Sequence, residues 1–287
     1  MTIDIDFLNE LNRFNILLKK RVLSQFQGNR QSSAQGEGLV FKDFREYTPG
    51  DDIRNIDWKV YARTAKYYIK EFEEERNLIL RVMLDRSKSM DFGKNIKKFE
   101  YGAMLGLGLG HVALKNNEKF EITTFADDLQ IFSPQKSRGR LVNILQHLSD
   151  LNLGGKTQLQ TCMMKYGEVI KSKSLLVLIS DFLLDIEEIR ETLHKLKKNE
   201  VIVIQVLDPS ELKLNIYGNL FLKDSESDFS LKTFLSPRAR NHYLRLLDDH
   251  SAQIRNICEG LGMNYLRFST ETPIFDAFTA LMSRNYS

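Results

Sequence analysis

The chain has 287 residues, 42% of them hydrophobic and 28% charged, with a formal net charge of +3 at pH 7. That length suits one large domain, or one domain with a small companion, and so even a charge balance gives no global pull toward nucleic acid or an anionic membrane. Two cysteines, Cys162 and Cys258, stand far apart and near no ligand spacing, which argues against a disulfide framework and for a reducing compartment. The opening MTIDIDFLNELN lacks the basic start and apolar core of a signal peptide, and MLGLGLGHVAL falls short of the ~20 residues a membrane span needs. The expectation is a soluble cytoplasmic protein.

In chain order, Phe7, Leu8, Leu11, Phe14, Leu18 and Val22 recur at helical spacing and predict an amphipathic opening helix. GNRQSSAQGEG reads as a loop. GLVFKDFREYTPGDDIRNIDWKVYAR holds a short strand, a Pro49-Gly50 turn and mixed charges around the only tryptophan, Trp58. KYYIKEFEEE reads as an exposed strand. NLILRVML is a branched, apolar run, the mark of a buried strand. A helix over FEYGAMLGLGLGHVALKNN follows. KFEITTFA and LQIFS then form two strands joined at Asp127-Asp128. RLVNILQHLSDL is a helix, GGKTQ a loop and LQTCMMKYGEVIK a helix. SLLVLIS and EVIVIQVLD are buried strands flanking the helix IEEIRETLHKLKK. A hairpin over about 216–235 interrupts the alternation before a long helix from Arg238, the strand NYLRFS and the last helix PIFDAFTALMSRN. Apolar strands alternating with amphipathic helices predict an α/β fold with a mostly parallel sheet covered on both faces. The expected division is an N-terminal segment over 1–76 and a main domain over 77–287 carrying the hairpin as an insertion. The hairpin is expected to pack with the N-terminal strands as a small β subdomain.

Ligands of such sheets bind beyond the carboxyl ends of the strands. Two predicted strands end alike there: one in Asp85 followed by Ser87 and Ser89, the other in Ser180-Asp181. The loop GGKT places Thr157 just before a helix on the same edge. Two carboxylates and three hydroxyls form an all-oxygen set suited to a hard divalent ion, magnesium first, with manganese or calcium as alternatives. So few anionic ligands leave the ion net positive, and an open position would accept a carboxylate from a partner. Each element alone has a plainer reading. Asp and Ser after a strand are turn formers and helix caps, Thr157 before a helix is an N-cap, and Asp181 is a turn residue. The conjunction favours the metal site.

Asp85-Arg86-Ser87-Lys88-Ser89, Thr157 and Asp181 resemble the metal-ion-dependent adhesion site (MIDAS) of von Willebrand factor type A (vWA) domains. The preceding block, Pro49, Gly50, Asp51, Asp52, Arg54, Ile56, Asp57, Trp58, Ala62 and Arg63, followed by KEFEEERNLIL, resembles the hallmark of bacterial domain-of-unknown-function family 58. That resemblance covers nearly the whole chain. It implies a vWA-like, Rossmann-like fold, metal held by Asp85, Ser87, Ser89, Thr157 and Asp181, and a MoxR-type AAA+ ATPase partner in chaperone-like or stress-related maturation. An acidic client is the other expected partner, and no catalytic residue is implied. Lys156, directly before Thr157, departs from the pattern and would weaken binding if its ammonium pointed inward. In the N-terminal block, Asp51, Asp52 and Asp57 are expected to pair with Arg45, Arg54 and Arg63 around Trp58, as a structural network or a recognition surface.

Other signals fail. GGKT lacks the upstream glycine and preceding strand of a phosphate-binding loop, since Asp150 holds that glycine's place. Gly106, Gly108 and Gly110 fall inside a helix, where close packing on the sheet explains them better than a dinucleotide fingerprint. A haloacid-type phosphatase would need a second Asp where Ser87 stands, and no Gly-x-Ser-x-Gly elbow occurs. The leading expectation is a non-enzymatic binding module. The alternatives are a magnesium-dependent phosphate-ester hydrolase and a scaffold with a vestigial site, which Lys156 motivates.

Overall fold

A computed structural model describes residues 39–74, 79–116, 118–135, 138–170, 174–214, 218–223 and 230–283. They form two compact units, one within residues 39–74 and the other within 79–283. The expected opening helix and the loop after it lie outside the described residues.

In the smaller unit, strands β1 (Leu39–Glu46) and β2 (Tyr68–Glu74) pair antiparallel. Between them the chain turns at Gly50, whose φ of 113° is a conformation few other residues adopt, and forms helix α1 (Trp58–Thr64). Asp57 begins α1 by accepting hydrogen bonds from the amides of Lys59 at 2.8 Å and Val60 at 3.2 Å. The expected ion pairs of this block are met in part. Arg45 reaches Asp51 and Arg54 reaches Asp52, each at 2.8 Å. Asp57 serves as a helix cap, its carboxylate accepting two amides at the start of α1. Trp58 is 57% exposed and meets Tyr61 edge-on rather than sitting inside a ring of charges.

The larger unit is built on a six-stranded sheet of order β10-β7-β6-β3-β4-β5. Its strands are β3 (Ile79–Asp85), β4 (Lys119–Phe125), β5 (Leu129–Gln135), β6 (Leu175–Ser180), β7 (Glu200–Leu207) and β10 (Asn264–Ser269). All neighbours are parallel except β4 and β5, which the tight Asp127-Asp128 turn forces to be antiparallel. Counted within the sheet, this is the doubly wound order 3-2-1-4-5-6, and the expected vWA-like α/β class is the one observed. Every residue of β6 is buried, as strands covered on both faces require.

The period of two along each strand divides the core. Met83, Leu176, Leu178, Val201 and Val203 join the cluster that also holds residues of α4 (Leu159–Val169), α5 (Ile186–Leu196) and α7 (Pro237–Gly260). On the other face Val82, Leu84 and Ile179 meet helix α2 (Lys98–Lys115), with Gly102 and Gly106 at the contact. A Cβ at Gly102 would stand 2.8 Å from Leu84 Cδ1, and one at Gly110 would stand 2.6 Å from the Phe120 ring. Close helix packing is therefore what the glycines serve. Helices α3 (Arg138–Asp150), α6 (Pro209–Lys213) and α8 (Ile274–Ser283) complete the unit, and a Cβ at Gly108 would run into the Phe278 ring of α8.

Strands β8 (Gly218–Lys223) and β9 (Ser230–Leu235) form the expected hairpin. They share no sheet with β1 and β2. Each pair is its own two-stranded sheet, and the two belong to different units. Among the described residues, no helix is long and apolar enough to cross a membrane.

Candidate metal centre

Strands β3 and β6 are neighbours, with Leu84 level with Ile179. This register carries Asp85 and Ser180-Asp181 past the sheet side by side. Asp85 is fully buried. Its Oδ1 accepts the Ser87 amide at 2.8 Å, and its Oδ2 accepts the Ser180 hydroxyl at 2.6 Å and the Thr157 hydroxyl at 3.3 Å. The Ser87 and Ser89 hydroxyls lie 3.1 Å apart. Main-chain bonds stitch three segments together: Lys88 donates to the Gly155 carbonyl at 3.1 Å, Gly154 donates to that of Arg86 at 3.1 Å, and Gln158 donates to that of Ala126, in the β4–β5 turn, at 3.0 Å. Gly155 must be glycine, since its φ is +81° and a Cβ would meet Asp127 Oδ1 at 2.7 Å. Arg86 pairs with Asp127 and Asp128 and so fastens the β4–β5 turn to the same edge.

Ser87 precedes a short 3-10 turn (Lys88–Met90) but makes no side-chain cap bond there. The cap of α4 is Gln158, not Thr157, and it too makes no side-chain bond. The Thr157 hydroxyl is directed at Asp85. Asp181 is partly the turn residue expected of it, because its Oδ1 accepts the Leu183 amide at 3.3 Å. Four of the five expected residues, Asp85, Ser87, Ser89 and Thr157, are thus linked by hydrogen bonds, and Asp181 acts on Asp85 through its charge.

Burial is the largest influence on the Asp85 carboxyl. With the charge of Asp181 it outweighs the bonds from Ser180 and Ser87 and pushes the group up to about 7. Two carboxylates held together away from water call for a cation. Among the described residues no three or more His, Cys, Asp or Glu side chains cluster as metal ligands. The donor set is instead two carboxylates and three hydroxyls, which fits a hard, oxygen-seeking ion rather than a soft one.

The lysine that matters is not Lys156, which is exposed. It is Lys98, the first residue of α2, only 1% exposed. Its ammonium lies 2.8 Å from Asp181 Oδ2 and 2.8 Å from Glu211 Oε1. Burial would lower its proton affinity, but the two carboxylates raise it above the ordinary lysine range. Glu211 belongs to α6, and its other oxygen accepts the Asp208 amide at 2.8 Å.

A second tier fixes the Asp181 turn. Gln205 donates to the Asp181 carbonyl at 2.8 Å and accepts from Ser251 at 2.9 Å and Tyr265 at 2.5 Å. Phe182 adopts φ of +50°, an uncommon and strained conformation for so large a side chain. It is held there by its amide bond to Ser180 Oγ at 3.1 Å and by His250 Nε2 donating to its carbonyl at 2.8 Å.

Sequence reasoning missed Ser180, Lys98 and Glu211 as site residues. Signals existed for all three. Ser180 ends a strand beside Asp181, Lys98 precedes Gly102 and Gly106 at four-residue spacing on one helix face, and Asp208-Pro209-Ser210-Glu211 is a capping-box pattern.

The sheet order and this loop edge define a vWA-like α/β unit. The chain belongs to the family described as "Protein of unknown function DUF58", whose model matches residues 43–253. A relative in Mycobacterium tuberculosis (strain ATCC 25618 / H37Rv), "Uncharacterized protein Rv1480", is 23% identical over 267 residues, covering 91% of this chain and 84% of its own. Similar solved structures include the conserved hypothetical protein BatB from Bacteroides thetaiotaomicron, with 12% identity, coverage of 72% of this chain and 98% of that one, and a TM-score of 0.43. Another is the SpRpn10 VWA domain, with 11% identity, coverage of 71% and 94%, and a TM-score of 0.40.

Proposed function

We propose that this protein is a non-enzymatic binding module whose carboxyl sheet edge holds a divalent cation and captures a carboxylate of a protein partner. Asp85, Ser87, Ser89 and Thr157 would hold the ion, with Asp181 acting through water or by orienting the others. Magnesium is the expected ion, and manganese or calcium would meet the same oxygen set. When bound, it would supply a positive point at which a partner's acidic side chain docks.

One observation carries this reading. The Thr157 hydroxyl donates to the buried Asp85 carboxylate, and the Ser87 hydroxyl, which makes no cap bond to the turn after it, meets that of Ser89 in the same hydrogen-bonded group. The surroundings suit a docking surface. Leu183, whose amide bonds Asp181, is 42% exposed. Phe92, whose ring centre lies 5.7 Å from the Lys98 ammonium, is 47% exposed. Apolar side chains beside a charge-seeking centre match a partner segment that carries an acidic residue among apolar ones. The resemblance drawn from the Pro-Gly-Asp-Asp block adds a MoxR-type AAA+ ATPase as the proposed partner, in chaperone-like or stress-related maturation.

The test is affinity capture from native cells with magnesium or with chelator, using wild type and Asp85→Ala. An AAA+ ATPase retained by wild type in magnesium, and lost with chelator or in the variant, is the expected result. Equal retention in all arms would overturn the metal-dependent reading. Magnesium-dependent phosphate-ester turnover abolished by Asp181→Ala would replace it with a hydrolase.

A further inference from the structure

Lys98 presents a chemical puzzle. A buried lysine on a helix that packs against the sheet points its ammonium at Asp181, one of the proposed ligands, and shares it with Glu211 at 2.8 Å from each. Glu211 is itself divided, with Oε1 on Lys98 and Oε2 on the Asp208 amide that opens α6. The Phe92 ring, 5.7 Å from the same nitrogen, covers the group further. An ammonium and a divalent ion cannot both sit against one buried carboxylate without strong repulsion. Nor can the carboxylate stay in a dry site with no cation at all.

We propose that Lys98 is an internal counter-cation that competes with the metal for Asp181, with Glu211 as the carboxylate to which it retires. This rests on the metal-binding reading above. In the latched state the ammonium bridges Asp181 and Glu211 and ties the first turn of α2 to that of α6. With a cation held at the Asp85 side of the edge, Asp181 would turn its charge toward it and Lys98 would rest on Glu211 alone. Such a site binds metal weakly by itself. A partner carboxylate arriving at the ion adds the negative charge that tips the exchange, so metal uptake and partner capture reinforce each other. The two residues therefore have opposite effects: Lys98 holds metal affinity down, and Glu211 keeps it from falling further.

The experiment is calorimetric titration of the full chain with magnesium chloride at one pH, for wild type, Lys98→Met, Glu211→Gln and Asp85→Asn. Thermal melting in chelator checks that each is folded. Lys98→Met should bind at least about tenfold more tightly than wild type, since a like charge has left the site. Glu211→Gln should bind several-fold more weakly, because Lys98 then has Asp181 as its only carboxylate. Asp85→Asn should not bind. The opposite signs separate the latch from general loosening, which would move both variants the same way, and Glu211→Gln still tests the latch should Lys98→Met fail to fold. Wild-type binding that is lost with Asp85→Asn, but unchanged or weakened by Lys98→Met, would overturn the latch and leave the metal site standing. Absence of binding in all four proteins would overturn both.

Discussion

Replacing Gly102 by alanine should destabilise this protein even though alanine is the better helix former. Gly102 lies one turn after Lys98 on the face of α2 that meets the sheet. A Cβ there would stand 2.8 Å from Leu84 Cδ1 and 3.0 Å from Ile179 Cγ2. Leu84 is 1% exposed and Ile179 is 0% exposed, so neither has open space to turn into. Relief requires α2 to lift or the ends of β3 and β6 to part. Overpacking of this kind costs about 1–3 kcal/mol, while removing a helical glycine returns roughly 1 kcal/mol. The net loss should be about 1 kcal/mol. Gly167 on α4 supplies the control, since it is exposed and an added Cβ there meets nothing within 4 Å. The same change at that position should gain about 0.5–1 kcal/mol. Urea denaturation followed by circular dichroism should show the two midpoints moving in opposite directions at unchanged slope. If Gly102→Ala unfolds at or above the wild-type midpoint while Gly167→Ala gains as expected, α2 is not seated this closely on β3 and β6. Lifting α2 would also draw Lys98 away from Asp181, so on the metal-binding reading the same substitution should tighten magnesium binding.

Other expectations follow from the same contacts. In chelator, Asp85→Asn should melt several degrees above wild type, because it removes a buried charge beside Asp181, and magnesium should shrink or reverse that advantage. Arg81→Met strands Glu121, which is 2% exposed and paired with Arg81 at 2.7 Å, and should cost about 3–5 kcal/mol; adding Glu121→Leu should recover most of it in denaturant titrations. Burial, then Glu259, pushes the Cys258 thiol up to about 12, and burial also raises Cys162. A thiol reagent at pH 8 should therefore modify neither cysteine until denaturant is added, and prompt reaction of the native protein would contradict a closed core. Asp57→Ala should cost about 1 kcal/mol through the lost α1 cap, read as local hydrogen-exchange protection over Lys59 and Val60.

Local patterns in the chain carried much of this fold. LLVLIS could be read as a doubly covered strand because every residue in it is apolar or small, and in the structure every one is buried. Gly106 and Gly110 could be read as packing contacts because no phosphate-binding strand precedes them, and they meet Val82 and Phe120. What periodicity does not encode is which strand lies beside which. Asp85 and Ser180 are 95 residues apart, and their bond exists because β3 pairs with β6 rather than only with β4, its neighbour in sequence. Lys98 was easy to misread for a related reason. A lysine near a helix start normally reads as a solvated surface residue, and only the packing of α2 buries this one. Asp57 carries a role its neighbours in sequence did not announce: beside arginines it read as an ion-pair partner, and in the fold it also caps α1, whose first amides are otherwise unsatisfied.

Charge balance ties the site to the fold. β3 and β6 place two carboxylates at one dry edge, and the hydroxyls of Ser180 and Thr157 and the amide of Ser87 soften the burial of only the first. The second, Asp181, is met by Lys98. That lysine reaches it because Gly102 and Gly106 let α2 lie against Val82, Leu84 and Ile179. The glycines that seat the helix thus also set the distance between the internal cation and the acidic edge. A wider seat would withdraw the ammonium and leave two buried anions for an external ion to neutralise. A close seat keeps the site balanced without one. On the proposed metal-binding reading, the helix-to-sheet spacing at Gly102 would control metal affinity, which predicts that Gly102→Ala in the Lys98→Met background changes magnesium affinity less than it does in wild type.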